Sequence, residues 1–204
     1  MSIEVWLAFA VTSALLLVIP GPTILTVISY SIAHGSRASL ALVTAVCLGD
    51  STALALSILG LGAVLSASAF WFSVVKITGG VYLLFLAFRL LRSGVLPVAV
   101  EKSTVNDRNL FLNTWLVTAL NPKGIVFFVA FLPQFVDPDQ QLATQLWILS
   151  VTFVALAAIN TLVYCVFASS ARHFFESAAM QRKFNLLGGS LLGIAGIWAI
   201  RSPA

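Results

Sequence analysis

Charged side chains are scarce in this chain: Asp, Glu, Lys and Arg make up 9% of its 204 residues, against roughly 25% in ordinary soluble domains. Too few are present to build a surface that water would wet, which excludes a soluble globular domain. Cysteine is scarce as well. Cys47 and Cys165 are the two present, each inside an apolar stretch, where they act as small apolar residues and support neither a disulfide framework nor a metal–thiolate site. The two histidines, His34 and His173, fall in loops, which leaves serine chemistry without a neighbouring base. Asp50 is the single acid deep in an apolar stretch, whereas aspartyl hydrolysis needs two carboxylates sharing a proton. No enzyme activity, cofactor or metal site is expected.

What the chain has is apolar length. It is 60% hydrophobic with a mean hydropathy of +1.03. Stretches able to cross a hydrocarbon core of about 30 Å, which takes about 20 helical residues, lie at 5 to 33, 40 to 66, 69 to 91, 110 to 132, 143 to 168 and 184 to 200. The expected fold is therefore all-α, a polytopic membrane protein of six transmembrane helices forming one domain over residues 1–204. Residues 1–4 lack a basic n-region and the first apolar stretch is too long for a cleaved signal, so it is expected to be a retained span.

The net charge of +4 does not point to nucleic acid, because it is laid out as membrane proteins lay it out. Alternating loops put Arg37, Arg89, Arg92, Lys102, Arg108, Arg172, Arg182 and Lys183 on one side and Arg201 on the other. The positive-inside rule makes the first side cytoplasmic and puts both termini outside. Trp6, Trp71, Trp147 and Trp198 then fall at outer ends, as an interfacial belt requires, with Trp115 the exception. Gly35 is positioned to cap the first span, and residues 133–139 read as a polar outer loop.

Two interruptions break the apolar pattern. Pro20-Gly21-Pro22 lies inside span one and Asn121-Pro122-Lys123 inside span four, although proline in a helix interior costs about 3 kcal/mol. The polar segment 93–108 separates them as a cytoplasmic linker, leaving repeat one at 1–92 and repeat two at 109–204. A second correspondence sets Lys76-Ile77-Thr78-Gly79-Gly80 against Asn185-Leu186-Leu187-Gly188-Gly189, though diglycines also recur in membrane helices on composition alone. Three spans per repeat is an odd number, so the second copy is inverted. Inverted repeats bring two broken helices together near the midplane, where substrate sites lie.

The candidate site residues follow from these breaks. Pro20 and Pro22 lack N–H donors and free carbonyls one turn upstream, Gly21 allows close approach to the backbone, and the helix restarting at Thr23 offers N–H groups and a positive dipole end to a carboxylate. Asn121 either satisfies backbone groups freed at Pro122 or binds ligand, and Lys123 would hold a carboxylate or neutralise Asp50. Asp50 is expected to carry a coupled proton or meet a substrate ammonium, since intramembrane acids are functional by default. In supporting positions, Lys76 either snorkels outward or faces the site, Asn160 hydrogen-bonds across helices, and Asn185 begins the diglycine repeat. Gly189 and Gly193 form a small-residue motif suited to packing spans within one chain. Phe127, Phe128 and Phe131 are core-filling or lipid-facing.

Taken in order, Pro20-Gly21-Pro22, Ala33-His34-Gly35, Leu48-Gly49-Asp50, Lys76 with Gly79, Tyr82-Leu83 and Arg89, and Asn121-Pro122-Lys123 leading into Phe131-Leu132-Pro133-Gln134-Phe135-Val136 resemble the LysE/RhtB family of amino-acid exporters over nearly the full length. The resemblance implies a small inner-membrane carrier exporting amino acids or close derivatives in exchange for protons. Members often carry Asn or Asp after Pro-Gly-Pro where this chain has Thr23, which leaves open a neutral cargo such as threonine, homoserine or leucine, or a basic one. The alternative reading is an exporter of another small solute or of a divalent cation, for which one acid between two lysines makes a poor cage. Expected partners are the amino acid, protons and the lipid bilayer, with homo-oligomer formation left open.

Overall fold

The computed structural model describes residues 1–19, 21–67, 107–137 and 140–168, with scattered helical positions between 77 and 92 and between 179 and 201. Among the described residues all regular structure is helical. The expectations for Pro20, Lys76, Asn185, Trp71, Trp198, the paired diglycines and most of the linker lie outside them.

The first apolar stretch folds as α1 (Ile3–Val18) and α2 (Pro22–His34), bent by 56° at the break. Neither half can span alone, because 16 residues reach only about 24 Å at 1.5 Å each. Ser2 caps α1 by accepting from Val5 N, with Glu4 favourably placed in the first turn. Gly35 ends α2 at φ 66°, its N–H bonded to Ser31 O, a left-handed conformation that favours glycine. A 3₁₀ turn over Gly35–Ala38 leads into α3 (Ser39–Ala67), whose section Ser39–Gly60 is long and apolar enough to cross a membrane.

The fourth expected span is also broken. It comprises α4 (Asp107–Ala119), a break at residues 120–121, α5 (Pro122–Val126), a π-helical turn over Phe127–Phe131 and a 3₁₀ turn over Leu132–Phe135. The segment expected as a polar outer loop thus begins as ordered turn, because Leu132 and Phe135 bury their side chains. Among the described residues, the last long helix, α6 (Leu142–Val166), is the second able to cross a membrane unaided.

Burial explains the arrangement. In α6 the buried positions are Gln145, Leu149, Phe153, Ala157, Thr161 and Cys165, spaced every four residues, while Val151, Ile159 and Val166 are exposed. In α1 the large exposed apolar side chains are Ile3, Val5, Leu7, Val11, Leu15 and Val18. Apolar stripes facing outward beside an equally apolar core fit lipid as the surrounding solvent. Phe9, Phe127, Phe128, Phe131, Phe135 and Phe153 fill the core, with Phe128 edge-on to Phe153 at 4.7 Å and Phe9 edge-on to Phe135 at 5.2 Å. This aromatic cluster, favoured by edge-to-face geometry, joins α1, the second broken span and α6.

Two glycines set helix crossings. At Gly49 a Cβ would come within 2.6 Å of Thr118 Cβ and 3.0 Å of Trp115 O, so α3 and α4 touch almost backbone to backbone. Gly189 is equally tight against Leu91, and Gly193 lies against Ala87, which places the expected small-residue motif on a helix of the same chain. Trp115, the exception to the interfacial pattern, donates its indole N–H to Thr52 Oγ1 at 3.3 Å inside the bundle.

Candidate functional site

A break in a membrane helix strands carbonyls that water cannot reach, and each must find a donor within the protein. Leu15 O retains a backbone partner, the N–H of Ile19 at 3.3 Å. The carbonyls that would have paired with residues 20 and 22 are those of Leu16 and Val18, and proline at both positions removes the donors. Leu16 O accepts instead from Lys123 Nζ at 2.9 Å, and Val18 O from the Tyr164 hydroxyl at 2.9 Å. Leu17 O accepts from Asn160 Nδ2 at 3.1 Å, and Ile19 O from Lys123 Nζ at 2.8 Å. The whole carbonyl end of α1 is therefore capped by side chains from the second half of the chain.

The second break is built differently. Thr118 O, deprived of a donor by Pro122, takes the N–H of Asn121 at 3.1 Å. Asn121 Oδ1 accepts from Lys123 N at 3.1 Å, making Asn121 the N-cap of α5, and its Nδ2 donates to Thr23 Oγ1 at 3.0 Å. Of the two roles foreseen for Asn121, these bonds correspond to the backbone one: its side chain serves an N–H at the start of α5. Asn121 and Thr23 are buried, so the bond between them locks the second break to the first.

The restart of α2 is open by comparison. Ser2 caps α1 and Asn121 caps α5, but Gly21, the N-cap of α2, supplies no side chain. Pro22 occupies the first helical position, and the first i to i−4 bond runs from Leu25 N to Gly21 O. A Cβ on Gly21 would sit 3.5 Å from Lys123 Cε and Nζ, so the backbone at the break lies directly against the ammonium. Thr26 turns its hydroxyl to Pro22 O at 2.9 Å.

Asp50 is buried on α3, one residue beyond the Gly49 crossing, and it interacts electrostatically with Lys123. Of the expected residues, Gly21, Pro22, Thr23, Asp50, Asn121, Pro122, Lys123 and Asn160 thus belong to one connected region. Lys123 departs from the expectation in one respect: its hydrogen bonds go to α1 carbonyls. Tyr164 went unnoticed in the sequence, although it stands four residues after Asn160 and so shares its helix face. Also unforeseen are the buried hydroxyls of Ser13, Ser31, Thr114 and Thr161, which find no hydrogen-bond partner among the described residues.

The sequence profile of LysE type translocators matches residues 14–202. The chain belongs to the LysE type translocator family. It is 30% identical to a homoserine/homoserine lactone efflux protein of Salmonella typhimurium, with 96% of each chain covered. It is 26% identical to a leucine efflux protein of Enterobacter sp. (strain 638), over 91% of this chain and 88% of the relative. An uncharacterized membrane protein of Vibrio cholerae is 30% identical over 94% of each. No solved structure gives a significant match. As a LysE type translocator, this is a membrane protein of an amino-acid efflux family.

Proposed function

We propose that the protein exports neutral amino acids or their close derivatives across the cytoplasmic membrane in exchange for protons, binding cargo where its two broken helices meet. The observation that carries this reading is the interlock itself: Lys123 on the carbonyls of Leu16 and Ile19, and Asn121 on Thr23. A break in span one presents the negative end of α1 and the positive, uncapped end of α2 to the same gap. A zwitterion is the small molecule that complements both ends, and discontinuous helices bind such cargo in other transporters.

The names of the relatives narrow the cargo. Homoserine, homoserine lactone and leucine share an α-ammonium next to a small uncharged chain, and the lactone has no free carboxylate. The substrate carboxylate, where there is one, would lie at the start of α2 near Thr23, in preference to the five-residue α5 whose N-terminus Asn121 already occupies. Asp50 carries the coupled proton. Spans three and six complete two inverted repeats, with 93–108 as cytoplasmic linker and both termini outside, and alternating access follows from rocking one repeat against the other.

Export is tested in sealed proteoliposomes loaded with radiolabelled L-leucine or L-homoserine under an imposed proton gradient. Accelerated loss of either label relative to protein-free vesicles supports the reading, and loss at the protein-free rate rejects it.

A further inference from the structure

We propose that Lys123 is a built-in stand-in for the substrate's ammonium group, seated on the carbonyl end of α1 and displaced from it when cargo binds. The proposal deepens the export reading above and rests on it for the identity of the ligand.

The seat is defined by what occupies it. Lys123 Nζ lies 2.9 Å from Leu16 O and 2.8 Å from Ile19 O, which uses two of an ammonium's three donors. The end of a helix carries about half a unit of negative charge, and Leu16 and Ile19, whose carbonyls receive the ammonium, are buried. The cap is also costly for a purely structural one. Leu17 O and Val18 O are satisfied by Asn160 and Tyr164, neutral donors on the long helix α6. Covering the two remaining carbonyls with a cation requires a buried charge that another amide or hydroxyl would have avoided. That cation is carried by α5, a five-residue piece held between a break and a π-helical turn, and such turns recur at functional sites.

The surroundings fit a guest with the same head group. Gly21 puts no side chain between Lys123 and the start of α2, so a molecule whose ammonium replaced Nζ would extend toward the N–H groups ahead of the α2 ladder. Exchanging one ammonium for another preserves the charge-assisted hydrogen bonds to both carbonyls, so displacement costs little. Asp50, an acid buried on α3, is the counter-charge available to the released Lys123. The seat therefore selects for a primary ammonium and makes a carboxylate optional. It also prevents α1 from presenting bare carbonyls to the membrane interior when no cargo is bound.

The test uses simple probes that carry one half of a zwitterion each. Wild-type protein and Lys123→Gln in lipid nanodiscs are titrated calorimetrically with n-butylammonium and with butyrate. With the tethered competitor removed, butylammonium is expected to bind the variant about tenfold more tightly than wild type, with butyrate indifferent to the change. Unchanged or weaker butylammonium binding overturns the proposal, and loss of butyrate binding would make Lys123 a carboxylate clamp instead. If Lys123→Gln does not fold, wild-type protein labelled at lysine ¹³Cε carries the test. The Lys123 signal moves with butylammonium and not with butyrate if the seat is exchanged, whereas the reverse pattern, or no response to either, contradicts it. Binding of the probes is read without any flux, so a failure of leucine and homoserine efflux alongside intact amine binding counts against the transport reading alone.

Discussion

Individual donors hold the first break together, and each can be removed. Tyr164→Phe deletes the hydroxyl that Val18 O accepts from, and hydrogen bonds between membrane helices are worth about 0.6–2 kcal/mol. A stability loss of that size is expected from thermal or denaturant unfolding in detergent. The cause can be isolated because Val18 O lacks a backbone donor only where residue 22 is proline. In a Pro22→Ala background the alanine N–H can serve Val18 O, so Tyr164→Phe should cost measurably less there. An equal cost in both backgrounds would show that Tyr164 acts through something other than this carbonyl. Asp50 presents a different case. Asp50→Asn keeps the shape and removes the charge, so the variant should reach the membrane in normal amount and lose proton-driven efflux. Wild-type efflux by that variant would remove Asp50 from the mechanism.

At the scale of elements, the positions of the breaks were legible because proline cannot donate, and Pro22 and Pro122 each begin a new helix. The partners of the stranded carbonyls were not legible. Spacing along α6 puts Asn160 and Tyr164 on one face, but which carbonyl each meets depends on how α6 is rotated and how far it slides against α1. Lys123 illustrates the same limit. A deep cation suggests an acid or a ligand carboxylate, yet the ends of a broken helix offer acceptors that no residue letter records. The crossing at Gly49 was equally hidden, since glycine is common in membrane helices and its neighbours across the interface are set by packing. Gly49→Val drives a side chain into Thr118 and the carbonyl of Trp115. Overpacking of this kind typically costs about 1–3 kcal/mol, to be read as lower melting temperature and reduced yield of folded protein. A variant as stable as wild type would mean that α3 and α4 can separate freely at this point.

For the whole molecule, lipid explains the exposed apolar stripes of α1 and α6. α1 and α6 run in the same direction, since Trp6 pairs with Thr152 and Val18 with Tyr164, so their N-terminal ends lie on one side. Under the proposed topology, in which the basic loops are cytoplasmic, that side would be outside. Reporter tags fused to either terminus should be reachable by impermeant reagents in intact cells, and labelling that requires broken cells would reverse the orientation. The central claim is that the meeting of two broken helices is a transport site for small ammonium-bearing molecules. Its most direct test is efflux of L-leucine and L-homoserine from proteoliposomes under a proton gradient, comparing wild type, Asp50→Asn and protein-free vesicles. The account predicts accelerated release by wild type alone; release by wild type no faster than from empty vesicles, or undiminished in Asp50→Asn, would contradict it.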